Sequence, residues 1–375
     1  MRSLSFTFAI LIALSCGGGD SSSDASDVVA EPDAADVEVD TPPIDEGLPP
    51  IDIPVPTKEP QWTLDNSVPS VVAGKTMRTF SGYETFGQRR LYFCGDGGVF
   101  RVAVDGQWLD QDVSSSATLH ACHAIGDDLM VAVGDNGKFW SWTGGGNWLS
   151  DDIIDTSPGL RGVWITTATS VTVVGVAGSI YRYDGADWDN QTILDTSGTL
   201  SAVWGTSADN LYAVGDKLLL HYNGTEWLSE TMPEDPPGTP EANMGISARA
   251  VTGSDSDHVW VVGDQGKVAF RDATGLWAYQ DAQWYATPFQ AVWAGQANFA
   301  LAVSTKGNVR QFDGTAWQIV DVATPKKTLS GEKWPAEQVV PKGPTLDYVG
   351  AYAVDETHIW LFDKSGKLLQ YNTNY

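Results

Sequence analysis

Basic residues are scarce in this chain: 22 Lys and Arg stand against 48 Asp and Glu over 375 residues, giving a formal net charge of −26 with only five His. A surface of that sign repels phosphate, which excludes non-specific nucleic-acid binding. Cysteine is rarer still, at three, too few for a scaffold held together by disulfides. The chain has no phosphate-cradling loop, no haem attachment motif and no quartet of His and Cys at metal spacing, so neither cofactor nor metal is expected. The apolar stretch from Leu4 to Leu14 is too brief to cross a bilayer. What the chain does have is 16 Trp, 39 Gly and an aromatic content of 11%.

Those Trp residues are spaced. Trp62, Trp108, Trp148, Trp188, Trp227, Trp277 and Trp317 punctuate the chain at intervals mostly near 40 residues, the period of a four-stranded propeller blade. The clearest copy runs from Leu200 to Trp227 and reads LSAVWGTSADNLYAVGD, then LLLHYNGTEW. Its second strand recurs as LYFCGDGG at 91–98, MVAVGDNG at 130–137, VTVVGVAG at 171–178, VWVVGDQG at 259–266, ALAVSTKG at 300–307 and IWLFDKSG at 359–366. Seven copies of alternating apolar strands and Gly-rich hairpin turns predict an all-β, seven-bladed propeller over residues 61–375. Within a copy, strand A is the LxAVW part, B the YAVG part, C the HYNG part and D the Trp segment. The chain stops after strand C of the seventh copy, while Gln61-Trp62-Thr63-Leu64 is an unmatched strand D. The N-terminal strand is therefore expected to complete the last blade and remove both exposed edges. Asp96, Asp135, Asp216 and Asp264 recur at one turn position and read as turn residues, because one carboxylate per blade is too sparse for calcium.

Residues 1–16 have the form of an export signal, with Arg2 ahead of the short apolar segment. Its end, Ala13-Leu14-Ser15-Cys16, resembles a bacterial lipobox, with Ala13 where that pattern prefers Leu. The resemblance implies a lipoprotein with Cys16 diacylated (a palmitate-type modification) and, because Gly17 follows, an outer-membrane location, whether on the periplasmic or the surface side. Residues 17–60 are Gly, Ser, Asp, Ala, Glu and Pro with Lys58 as their only base. Such a segment buries too little apolar surface to offset its ordering entropy, so it is expected to be a disordered, extended tether.

The repeat WGTSADNLYAVGD…LLLHYNGTEW resembles the WGxSxxDVWAVGDxGxIxHYDGxxW repeats of bacterial surface lipoproteins and is more remotely similar to the propeller of photosystem II assembly factors. The resemblance covers about residues 61–375 and implies fold and export. It brings no catalytic motif, and the S-x-D-x-G-x-T-W boxes of sialidases are absent.

The candidate site residues come from the repeat frame. Two enlarged D–A loops, at 229–246 and 320–346, should share one face with the B–C turns. Lys326, Lys327, Lys333, Trp334 and Lys342 lie in the second loop, and Lys306 and Lys364 in the turns of blades 6 and 7. In an acidic protein this sector is a candidate site for an anionic glycan or another surface protein; scattered solubilising lysines are the alternative. The residue after the Val of strand A reads Glu84, His123, Trp164, Trp204, Thr252, Trp293 and Tyr352, either an aromatic rim or wedges between blades. His120, Cys122 and His123 are read as packing residues, with His120 and Cys122 on one face of their strand. Cys94 and Cys122 align with core Val positions in adjacent blades and form either a disulfide between blades or two buried thiols. The expected protein is a monomeric, non-catalytic binding or scaffold module. The rival readings are a glycan hydrolase or lyase using Glu84 and Asp347, and an assembly factor for an exported complex.

Overall fold

The computed structural model describes residues 61–69, 74–85, 87–104, 106–126, 128–145, 147–153, 159–193, 198–233, 246–282, 287–320, 322 and 346–372. Residues 1–60, and with them Cys16 and the acidic segment, lie outside the described residues.

Seven four-stranded antiparallel sheets form the ring. Blade 4 is the clearest: strand A is Leu200–Ser207, B Asn210–Gly215, C Leu218–Tyr222 and D Trp227–Ser229. Blades 1, 2 and 3 open with strands Met77–Thr85, Leu119–Ile125 and Leu160–Thr167. Blades 5, 6 and 7 open with Ala248–Asp255, Phe289–Gln296 and Tyr348–Asp355. Gln61–Asp65 closes the ring as strand D of blade 7, pairing antiparallel with Leu368–Asn372 from Gln61 opposite Asn372 to Asp65 opposite Leu368. The Trp62 and Tyr371 rings lie 5.1 Å apart at this join. Closure from both termini covers strand C of blade 7, which would otherwise be an exposed edge.

Strand B is apolar throughout because neighbouring blades cover both of its faces. In blade 4 every residue from Leu211 to Gly215 is buried, and Leu211 and Tyr212 belong to cores shared with opposite neighbours. The strand D tryptophans join blade to blade. Trp317 of blade 6 is 1% exposed and stands edge-on, 5.3 Å from Trp260 of blade 5. Trp188 meets Phe139 of blade 2 at 5.1 Å, and Trp148 meets Phe100 of blade 1 at 5.0 Å. A ring of this size removes about 150–250 Å² from water, which makes Trp the natural residue for a seam repeated around the ring.

The seam between blades 1 and 2 is also covalent. Cys94 and Cys122 form a disulfide with their Cα atoms 6.3 Å apart, in a core with Tyr92, Phe100 and Trp140.

Candidate functional site at the channel mouth

Strand A of every blade starts at the end of the ring where strand B turns into C. Each carries a β-bulge at its second residue, seen as a register shift between Met77 and Thr79, Leu119 and Ala121, Leu160 and Gly162, Leu200 and Ala202, Ala248 and Ala250, Phe289 and Ala291, and Tyr348 and Gly350. A bulge adds one unpaired residue and re-aims its side chain. The seven bulged residues are Arg78, His120, Arg161, Ser201, Arg249, Gln290 and Val349. Six are polar in strands that are otherwise largely apolar, and together they ring the mouth of the central channel. A cavity of about 410 Å³ opens there, lined by all of them except Arg249 and by Thr76, Thr199, Thr305, Asp347 and Lys364 among others.

The recurrent turn aspartates support this ring. The B–C turns Asp96–Gly98, Asp135–Gly137 and Asp264–Gly266 are short 3-10 turns. The middle residue of each has φ near +60°: Gly97 at 66°, Asn136 at 60° and Gln265 at 60°. That conformation favours Gly or Asn and holds the preceding Asp against strand A. Arg78 Nε donates to Asp96 Oδ1 at 2.8 Å, and Arg249 Nε to Asp264 Oδ1 at 2.6 Å. His120 Nε2 meets Asp135 Oδ1 at 2.6 Å, and the Arg161 Nη1 atom stands 3.6 Å from the same oxygen. In blade 4, where the bulged residue is Ser201, Asp216 accepts instead from Thr199 N and from Ser247 Oγ at 3.2 Å each. These aspartates therefore fix the basic residues of the mouth as well as shaping turns.

Electrostatics follow from the pairing. Partial burial opposes ionisation of Asp96 and Asp135, yet the Arg78 guanidinium and the His120 bond respectively hold the two carboxyls below the usual range. Burial also lowers His120, against the Asp135 bond that raises it, and Arg161 and Arg78 push it down further. Asp347 is held low by Lys364, which bonds its Oδ2, and by the Lys306 backbone N–H, which donates to Oδ1 at 3.0 Å.

Of the lysine sector, Lys364 lines the cavity and Lys306 contacts Asp347 through its backbone; Lys326, Lys327, Lys333, Trp334 and Lys342 lie outside the described residues. The aromatic residues of strand A wedge between blades. His123 stacks on Trp164 at 4.1 Å, accepts from Ile165 N at 3.1 Å, and is driven by burial to a pKa of about 3. Trp164 Nε1 donates to Gly205 O of the next blade at 2.9 Å, and a Cβ on Gly253 would stand 2.4 Å from the Trp204 ring. The Trp-Gly pair of the repeat is thus explained: the Trp wedges forward, and the Gly receives the wedge from the blade behind.

Three sequence expectations are corrected. In blade 1 the residue equivalent to Trp204 is Ser81, since Ser81 pairs with Tyr92 as Trp204 pairs with Tyr212. Strand A of this blade is one residue longer than most, and Glu84 lies three positions further on, opposite Arg89 at the far end of the channel. Glu84 and Asp347 are therefore separated by about eight residues of strand, on the order of 25 Å, and cannot act as a pair. The bulge also breaks the alternation assumed for His120 and Cys122. Leu119, Cys122 and Ala124 share the buried face, whereas His120 goes to the mouth and is not a packing residue. Sequence reading missed the bulge ring, although its signal was present: a polar residue three places before the wedge position in most copies.

Among the described residues, no group of three or more His, Cys, Asp and Glu is placed to hold a metal ion. No protein-family model and no curated protein matches the chain. Many solved structures do. YCF48 bound to a D1 peptide matches with a TM-score of 0.59 at 15% identity, over 84% of this chain and 97% of that one. A catalytically inactive virginiamycin B lyase from Staphylococcus aureus with quinupristin matches with a TM-score of 0.65 at 10% identity, over 84% and 99%. The extracellular domain of a one-component system from B. thetaiotaomicron matches with a TM-score of 0.56 at 14% identity, over 82% of this chain and 39% of that one. At these identities the likeness is one of fold alone.

Proposed function

We propose that this protein is an exported, lipid-anchored binding module that holds a segment of another exported protein at the mouth of its channel. The observation that carries this reading is the cavity at the bulge ring, where six of seven blades contribute a re-aimed side chain. It lies within the size range of ligand clefts, about 300–1,000 Å³. The lining is rich in donors and hydroxyls, a composition suited to binding. A hydrolase or lyase is disfavoured because its two nominated carboxylates stand at opposite ends of the channel. A protein partner is favoured over a glycan because, among the described residues, the cavity offers no open aromatic face; Tyr348, the aromatic residue of the described lining, is 2% exposed. The YCF48 structure with a bound peptide is a precedent for the fold.

Residues 1–16 serve as the signal in this reading, Cys16 as the acylated anchor in the outer membrane, and residues 17–60 as the tether. The Cys94–Cys122 disulfide fits an oxidising compartment and leaves Cys16 as the remaining thiol. Strand D of blade 7 starts at Gln61, at the end of the ring opposite the mouth, so the ring is entered away from the cavity.

Two experiments test this. Metabolic labelling with a palmitate analogue should mark the full chain and not its Cys16→Ala variant; equal labelling of the two would refute the anchor. A photo-crosslinking residue at Ser201 should capture a discrete protein in intact cells, whereas one at Glu84 should not. Capture from Glu84 alone would place the interaction on the wrong end and refute the site.

A further inference from the structure

Resting on the reading of the mouth as a binding site, we propose that the arc of Arg78, His120 and Arg161 receives a side-chain carboxylate of an acidic peptide segment, and that binding brings a proton onto His120. The three residues are the bulged positions of consecutive blades, and all three line the cavity. They differ from the rest of the ring, where the bulged positions lining the cavity are Ser201, Gln290 and Val349. The mouth therefore has one side of nitrogen donors, while the rest of its lining carries the hydroxyls of Thr199, Ser201 and Thr305, the Gln290 amide, Val349 and the Asp347–Lys364 ion pair. A carboxylate suits the first and the peptide backbone suits the second.

The charges of the arc are balanced when it is empty. Arg78 is matched by Asp96 through Nε, and Arg161 stands 3.6 Å from Asp135. The groups that face His120 are Asp135 from the turn of its own blade, Arg161 from blade 3 and Arg78 from blade 1. With His120 neutral, two guanidinium groups and two carboxylates cancel. Among the described residues Arg161 Nη1 has no hydrogen-bond partner, Asp135 Oδ1 lying 3.6 Å away; that atom is buried, and Arg161 meets the cavity through the exposed third of its side chain. A ligand carboxylate in the cavity meets the exposed parts of the arc and adds one negative charge. That charge offsets the two guanidinium groups that disfavour imidazolium, so His120 gains a proton and the site returns to neutrality. Binding and proton uptake are then thermodynamically linked, and affinity must rise as pH falls through the titration range of His120. The ligand's own carboxylates stay ionised over that range, so the dependence belongs to the protein.

The test is titration calorimetry on the full chain with tetraglutamate, from about pH 8 to about pH 6, in two buffers of different ionisation enthalpy. Tetraglutamate should bind about threefold more tightly at the lower pH, part of the tenfold that one unit of pKa displacement gives once the pH lies below both the free and the bound values, and the heats should differ between buffers by the uptake of up to one proton. Arg161→Gln should weaken binding by about tenfold or more. His120→Gln, checked for an unchanged melting temperature, should bind at about pH 6 no more tightly than wild type binds at about pH 8, and should lose both the pH dependence and the proton uptake. Binding that is independent of pH, or a His120→Gln variant that keeps the pH dependence, would overturn the linkage. Binding of trigalacturonate but not tetraglutamate would overturn the peptide assignment in favour of a glycan, and binding of neither would overturn the carboxylate site. Each of these failures leaves the broader reading intact if the crosslinker at Ser201 still captures a partner, and removes it if that capture is also lost.

Discussion

Two rings of side chains, three residues apart on the same seven strands, have opposite characters. The outer ring, Arg78, His120, Arg161, Ser201, Arg249, Gln290 and Val349, sits on bulges and, Arg249 excepted, faces a cavity. The inner ring, Ser81, His123, Trp164, Trp204, Thr252, Trp293 and Tyr352, sits in regular ladder, and its aromatic members pack into the neighbouring blade. Trp204 is 7% exposed and presses on Gly253, whereas the Arg249 side chain, at the outer position of blade 5, is 41% exposed and is held by a carboxylate. One strand can therefore supply both the joint between blades and the recognition surface. What separates the roles is whether the position is held in the ladder or released from it by the extra residue of a bulge.

Substitutions should separate the rings by their effect on stability. Trp204→Ala removes a buried indole from the seam between blades 4 and 5 and should cost about 3–5 kcal/mol in denaturant unfolding. Gly253→Ala approaches the same seam from the other side. Its new methyl would meet both the Trp204 ring and the His258 carbonyl, at 2.4 and 2.6 Å, and should cost about 1–3 kcal/mol, with only part of that loss recovered when Trp204 is also shortened to Leu because the carbonyl clash remains.

The inner ring also has a pH component of defined sign. His123 is neutral in the fold because burial drives its pKa to about 3, while in the unfolded chain it titrates near 6.5. The unfolded state then binds the extra proton between those values, so stability is lost as pH falls from about 6.5 towards 3. His123→Phe should flatten that part of the stability curve, by on the order of 2 kcal/mol near pH 5; an unchanged slope would show that His123 is accessible to protons in the fold. At the outer ring the effects should be smallest. Arg161→Gln and Arg78→Gln remove partly exposed ion pairs and should shift stability by less than about 1 kcal/mol.

Much of the inner ring could be read from the sequence, whereas the outer ring left only a fainter sign, a polar residue three places before most wedge positions. Recurrent Trp, the YAVG strands and the unmatched Gln61–Leu64 strand fix blade number and closure, because apolar periodicity reports which faces are covered. The pairing of Cys94 with Cys122 was one of two outcomes for cysteines in adjacent blades, decided by a Cα separation of 6.3 Å that only coordinates supply. A bulge leaves no mark in a hydrophobic pattern except a shift of one place. That shift turned His120 from an expected packing residue into one that lines the mouth, and the extra length of the first strand misplaced Glu84 by three residues. The turn aspartates were legible as turn formers, but their bonds to Arg78, His120 and Arg249 depend on loops brought together across sequence separations of 15–18 residues.

The most direct test of the contrast is one experiment with two readouts on the full chain: unfolding free energy and crosslinking from Ser201, measured for the Arg78→Gln/Arg161→Gln double variant and for Trp204→Leu. The double variant should unfold within about 1 kcal/mol of wild type and lose its crosslinked partner. Trp204→Leu should be destabilised by about 2 kcal/mol or more and keep the partner under conditions where it remains folded. A double variant that captures its partner as wild type does would contradict the assignment of recognition to the bulge ring.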